Sequence, residues 1–167
     1  RVPAILVDAP KQPIGLAARP ARADQIEQHL LRLLAVTVAV EREGELLVVP
    51  VGAVLVDSTT GQVLAAAGNR VEELHDPTAH AELLVLRAAA AAGASKRLPL
   101  ADLYVTLEPC PMCAQAIAFA RLRRVYYGAY DPKGGGVDHG PHIFEQPTCH
   151  HRPEIYGGIR ESEAGEL

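Results

Sequence analysis

His80-Ala81-Glu82 and its counterpart Glu108-Pro109-Cys110-Pro111-Met112-Cys113 decide the reading of this chain. One histidine and two cysteines offer three zinc ligands, with a carboxylate two residues from the histidine. A closed structural zinc site takes four protein ligands, whereas a catalytic one keeps a position open for water. Three ligands beside an acid therefore point to zinc-assisted hydrolysis. Cys110 and Cys113 lie three apart, so one helical turn brings both sulfurs to the same side. At a helix N-terminus the free N–H groups and the macrodipole stabilise thiolates, the form that binds metal. His80 and Glu82 are two apart and would diverge along a helix face. They converge only where the metal sits at the start of the helix.

Working outward, both halves of the motif fall where strand or loop feeds into a helix. Val51 to Val56 is a short apolar run of the kind a buried strand shows, Asp57 to Gly61 a turn, and Val63 to Ala67 the returning strand of a hairpin. Gly68-Asn69-Arg70 leaves the sheet, and an alanine- and leucine-rich helix runs from Ala79 to about Ala92, with Gly93 as its stop. Asp102 to Leu107 is a third strand, Pro111 opens a second helix reaching about Arg121, and Val125 to Gly128 is a fourth strand. Glu154 to Ile159 reads as a final strand and Glu161 onward as a helix, while Asp131 to Gly136 reads as a flexible loop. Strands alternating with helices give an α/β sandwich of β-α-β units around a mixed sheet of about five strands. Upstream, residues 1–22 are a proline-punctuated, loosely ordered arm, and residues 23–167 form a single domain. There, Asp24 can cap a helix through Ile26, Leu30, Leu31 and Leu34, and Ala35 to Val40 favours strand.

Composition narrows the function classes. At 49% hydrophobic residues the chain is an ordinary globular sequence, and no apolar run approaches a bilayer span. The first residues, with Asp8 and scattered prolines, lack the apolar block of a secretory signal. Three cysteines, two of them in C-x-x-C, argue against a disulfide framework and for a reducing compartment such as the cytoplasm. The net charge of −4 shows no bulk basic character. Arg121, Arg123, Arg124 and Lys133 nevertheless gather locally as candidate RNA contacts, with a solvated helix end as the simpler alternative.

The donor set assigns Glu82 its task. Two thiolates already cancel the charge of Zn²⁺, so this metal acidifies water less than an all-histidine site does, and a carboxylate that takes the proton makes up the difference. The same group can pass the proton to a ring nitrogen and then to a leaving amine. The expected reaction is hydrolytic deamination of an amidine-like ring carbon, with about one zinc per chain. Cys149, His150 and His151 are the rival cluster, able to supply a fourth ligand or a second metal site. His75, His139 and His142 read as surface or loop residues. Asn69 is either a turn residue or a contact to the base.

From Pro50 to about Ile159 the sequence resembles the bacterial tRNA-specific adenosine deaminases. The resemblance is carried by Pro50-Val51-Gly52-Ala53-Val54, Asn69-Arg70, His75-Asp76-Pro77-Thr78-Ala79-His80-Ala81-Glu82, Leu103 to Ala114, Tyr127-Gly128-Ala129 and Asp131-Pro132-Lys133-Gly134-Gly135. The zinc core alone marks the cytidine deaminase-like superfamily, and the extended context marks this family within it. The resemblance implies a three-layer α-β-α sandwich and a homodimer that converts the wobble adenosine of a tRNA anticodon stem-loop to inosine, on a base splayed out of the loop. By position, His80, Cys110 and Cys113 hold zinc, Glu82 shuttles protons, Asn69 hydrogen-bonds the base, Val51 and Ala53 wall the pocket, and the Ala81 N–H contacts the nucleobase. Two departures stand out. Leu33 to Val49 fits poorly to the helix that usually precedes the P-V-G-A strand. The sequence also ends at Leu167, before the family's closing helix rich in phenylalanine and arginine. Two alternatives remain: a deaminase of a free base or nucleoside such as guanine or cytosine, and a zinc-stabilised RNA-binding or scaffold protein without turnover.

Overall fold

The computed structural model describes residues 40–42, 45–47, 52–93 and 95–165. The arm over residues 1–22, the helix expected from Asp24, and Val51 lie outside these. Of the strand expected over Ala35 to Val40, only Val40 is described, and it opens β1 (Val40–Arg42), which pairs antiparallel with β2 (Glu45–Leu47). The β-branched reading of this segment, rather than a helical one, therefore holds over the described part.

The central sheet has five strands: β3 (Gly52–Asp57), β4 (Val63–Gly68), β5 (Ala101–Leu107), β6 (Arg124–Ala129) and β7 (Glu154–Tyr156), in the order β4-β3-β5-β6-β7. β3 runs antiparallel to both β4 and β5, while β5, β6 and β7 are parallel, so the sheet is mixed. The β3–β4 turn is built by its own residues. Asp57 Oδ1 accepts the backbone N–H groups of Thr59 at 2.8 Å and Thr60 at 3.0 Å, and Gly61 takes φ +74°, a conformation that suits glycine.

One face of the sheet carries Ala53, Leu55, Leu103, Val105, Val125 and Tyr127. Against it pack α2 (Ala81–Gly93), through Ala81, Val85, Leu86 and Ala89, and α3 (Pro111–Ala120), through Ala114, Ile117 and Ala118. The other face carries Val54, Val56, Tyr104 and Tyr126, as the two-residue alternation of strands requires. There Tyr104, Tyr126 and Tyr156 stand opposite one another on β5, β6 and β7, with ring centroids 4.7 and 4.9 Å apart. Such aromatic pairs contribute about 0.5–1.5 kcal/mol each beyond area burial. Ile159 packs on this cluster, and the short helix α4 (Glu161–Gly165) contacts β6 and β5. Strands buried on both sides explain their near-continuous apolar sequence. No helix among the described residues is long and apolar enough to cross a membrane.

Two elements were not legible beforehand. The one-turn helix α1 (Val71–Leu74) and the 3-10 turn Ile143–Glu145 are too short to show a period. The loop over Asp131 to Gly136, expected to be flexible, is instead tied down by hydrogen bonds to Glu108 and Pro109. Gly93 is the last residue of α2.

Candidate active site

The two helices that cover one face of the sheet bring their N-termini together. His80 directly precedes α2, and its carbonyl accepts the Leu84 N–H at 3.0 Å, which starts the helix. The approach is fixed by an Asp76 turn: Asp76 Oδ1 accepts the Thr78 N–H and hydroxyl at 2.8 and 2.7 Å, and Ala79 donates to the Asp76 carbonyl. Arg70 N–H donates to the Ala79 carbonyl at 3.0 Å, so the Asn69-Arg70 turn lies beside the histidine. At the other end Cys110 is the N-cap of α3, in extended conformation, with Pro111 at the first helical position and Cys113 within the first turn.

His80 Nδ1 lies 3.6 Å from the sulfurs of both Cys110 and Cys113, and the three ligand atoms fall within 4.8 Å of one another. Bonds to Zn²⁺ of about 2.0 Å from nitrogen and about 2.3 Å from sulfur, at a tetrahedral angle, place N and S about 3.5 Å apart. The donor set therefore fits Zn²⁺ in both spacing and chemistry. Among the described residues it is the single such cluster. The rival does not form: Cys149 contacts the His151 carbonyl, His151 Nε2–H donates to the Leu122 carbonyl at 2.6 Å, and His150 tilts against Phe119.

The two sulfurs are shifted in opposite directions. Cys110 is pulled down to about 5, first by the hydrogen bond from the Cys113 thiol, with backbone N–H groups and His80 adding to it. Cys113 is pushed up because that bond and burial favour its protonated form. The pair thus holds one proton that metal binding would release. Glu82 lies in the first turn of α2, only 3% exposed. Its carboxyl interacts with the Cys113 thiol, yet Oε2 has no hydrogen-bond partner. Burial raises its pKa above the usual carboxylate range, and the Cys110 thiolate adds to that. A buried polar atom with no partner is rare in a folded protein and asks for an explanation, of which a catalytic role is one.

Ala81 and Ala53 are fully buried in the same cluster, and Ala81, as the first residue of α2, has no intrahelical acceptor for its N–H. Asn69 is exposed, and its Oδ1 accepts the Val71 N–H at 3.2 Å. Its turn role is thus real, and the amide nitrogen and a second lone pair on Oδ1 are left for a base. Two members of the basic cluster already have carboxylate partners. Arg123 pairs with the buried Asp102, its Nε 2.8 Å from Oδ1, and Arg124 Nε sits 2.7 Å from Glu154 Oε2. Both guanidiniums are therefore ion-paired within the fold, Arg124 with a carboxylate that is itself exposed. Arg121, in left-handed conformation at the end of α3, and the exposed Lys133 have no such ion pair among the described residues.

Glu108 was quoted in the motif but given no task. Its side chain is wholly buried. Oε1 accepts the N–H groups of Val137, Asp138 and His139 at 3.2, 2.9 and 2.9 Å. Oε2 accepts the Asp131 N–H at 3.0 Å and His139 Nδ1–H at 2.7 Å. Burial alone would raise its pKa, but these donors, Asp131 foremost, hold it below the ordinary range. His139, expected to be a plain loop residue, is therefore part of the scaffold. No local signal announces it.

Comparison with known proteins agrees with this geometry. Residues 25–129 match the family described as the cytidine and deoxycytidylate deaminase zinc-binding region. The chain is 61% identical over 119 residues to the tRNA-specific adenosine deaminase of Agrobacterium fabrum, covering 71% of this chain and 77% of that protein. It is 42% identical over 127 residues to that of Bacillus subtilis, covering 76% of each. Among solved structures, one from a study of A-to-I editing by tRNA:A34 deaminases at the wobble position superposes with a TM-score of 0.74 at 54% identity, covering 83% of this chain and 98% of that one. A guanine deaminase from Bacillus subtilis superposes with a TM-score of 0.53 at 33% identity, covering 62% and 64%.

Proposed function

The chain belongs to the tRNA-specific adenosine deaminases, within the cytidine and deoxycytidylate deaminase zinc-binding group, and from that premise we propose that it hydrolyses the wobble adenosine of a tRNA anticodon loop to inosine and ammonia. The observation that carries this reading is the meeting of His80 Nδ1 with both cysteine sulfurs at 3.6 Å beside a buried, unpartnered Glu82 Oε2.

His80, Cys110 and Cys113 hold one Zn²⁺ per chain. When bound, the metal supplies a Lewis acid that activates the attacking water. Glu82 performs the proton traffic: Oε2 takes one proton of that water and delivers it to the ring nitrogen next to C6, then takes the second from the hydroxyl now on C6 and delivers it to the departing amine, so that the C–N bond breaks, ammonia leaves and the C6 carbonyl forms. Burial, which raises the pKa of Glu82, favours a carboxyl that takes up a proton and can pass it on. The Asn69 amide and the Ala81 N–H hydrogen-bond the base, and Ala53 walls the pocket. Arg121 and Lys133 meet phosphates of the stem-loop. A cytoplasmic location and a homodimer go with this reading. Cys149 is the one cysteine outside the ligand set and has no partner cysteine for a disulfide, which suits the first.

The likeness to a guanine deaminase favours a second reading, in which a free purine base is the substrate. One experiment separates them. The purified chain is incubated with an anticodon stem-loop carrying a wobble adenosine, and in parallel with free guanine, adenine and cytosine. Inosine in the stem-loop, with no ammonia from the bases, is the expected result. Turnover of a free base alone overturns the tRNA reading.

A further inference from the structure

All five donors to Glu108 come from one segment, residues 131–139. That segment is also wrapped onto the start of α3. Gly136 N–H donates to the Pro109 carbonyl at 2.9 Å. A Cβ at Gly136 would stand 2.5 Å from Pro111 N, and one at Gly135 would stand 2.4 Å from Glu108 Oε1. The consecutive glycines are thus required by close approach to the turn that carries Cys110. The first part of the segment, by contrast, hangs from a single Glu108 bond. Glu108 Oε2 takes the Asp131 N–H, and Asp131 Oδ1 in turn accepts the N–H groups of Lys133 and Gly134 at 3.1 and 2.8 Å.

We propose that Glu108 is a positioning residue: its buried carboxylate registers the Lys133-bearing turn against the cysteine turn, so that substrate phosphate and reacting base are held at a fixed separation. The proposal rests on the tRNA reading above. It makes the glutamate of the Glu-Pro-Cys sequence a link between metal turn and substrate surface rather than a participant in proton transfer.

Glu108→Gln tests it through its shape. With the amide oxygen kept toward the three N–H groups at Oε1, the NH₂ falls at Oε2. There His139 can change tautomer and accept, but the Asp131 N–H cannot. The variant therefore frees the Lys133 turn selectively. In zinc-loaded protein acting on the anticodon stem-loop, KM rises about tenfold, kcat stays within about twofold, and metal content is unchanged. Lys133→Ala also raises KM, and the double variant is no worse than the worse single one, because both act through one turn. A fall in kcat at unchanged KM, loss of metal, unchanged kinetics, or fully additive KM effects overturns the proposal. Should Glu108→Gln fail to fold, Asp131→Ala keeps every bond to Glu108 but removes the carboxylate through which Asp131 holds the Lys133 and Gly134 N–H groups; it raises KM about threefold, and an unchanged KM there overturns the proposal equally. If the wild-type chain does not act on the stem-loop, the functional reading fails separately. Amide exchange then decides for Glu108: the Asp131 N–H exchanges at least about tenfold faster in Glu108→Gln while those of Val137 and Asp138 do not, and an unchanged Asp131 rate overturns the positioning role.

Discussion

Glu82 and Glu108 each lie two residues from a metal-ligating side chain, and both are almost fully buried, at 3% and 2% exposure. Their surroundings are opposite. Glu82 keeps an oxygen without a partner and is pushed above the ordinary carboxylate range by burial. Glu108 is surrounded by five donors, which outweigh burial and hold it below that range. Burial alone therefore does not set what a carboxylate does. An unsaturated one is poised to exchange a proton, and a saturated one is fixed as an anion that organises backbone.

The strongest way to break this contrast is Glu82→Gln, which preserves shape and removes the titrating group. Inosine formation falls by about 10²–10⁴-fold while circular dichroism and zinc content stay as in the wild type. Retained activity would end the assignment of the proton shuttle. Next is removal of the metal. Cys113→Ser, or chelation of the wild-type protein, takes zinc from about one per chain toward none and abolishes turnover, and added Zn²⁺ restores the chelated protein alone. Metal analysis with parallel assay reads this. A smaller effect is expected for Glu108→Ala, which orphans backbone N–H groups rather than chemistry. It destabilises the protein by about 3 kcal/mol in urea unfolding, whereas Glu82→Ala costs far less. Equal losses would erase the distinction between the two glutamates.

The smallest effect provides a control away from the site. Asp57 is a half-buried turn carboxylate. Burial raises its pKa, but bonds from Thr59 and Thr60 outweigh this and lower it. A depressed folded value means that the stabilisation is present above the unfolded pKa of about 3.9 and is lost as pH falls through the folded one. Asp57→Ala therefore costs about 1 kcal/mol at pH 7 and progressively less as the pH falls below the unfolded value and through the folded one. Thermal melts of both proteins over a series of pH values from 7 downward check it.

Much of the site was legible because its signals are local. The spacing of Cys110 and Cys113, the proline at the start of α3, and the histidine and acid astride the start of α2 each describe one turn of chain. The β3–β4 hairpin and the strand Ala101–Leu107 were likewise readable from apolar runs and turn residues. Long-range partners were not. Arg123 and Arg124 read as exposed cations because nothing near them in sequence offers a carboxylate. Asp102 and Glu154 reach them only through the register of β5, β6 and β7. Gly134, Gly135 and Gly136 read as flexibility, when the missing side chains serve close packing against Asp131, Glu108 and Pro111 respectively.

By itself the sequence determined the ligand set, the acid beside it, and the α/β alternation, because residue chemistry and helix or strand period are properties of neighbours along the chain. Only the tertiary structure decided which buried carboxylate stays unsaturated, which arginines are already ion-paired, and that His139 belongs to the scaffold. Those depend on donors and acceptors dozens of residues apart, which meet only after the sheet has fixed its order and register.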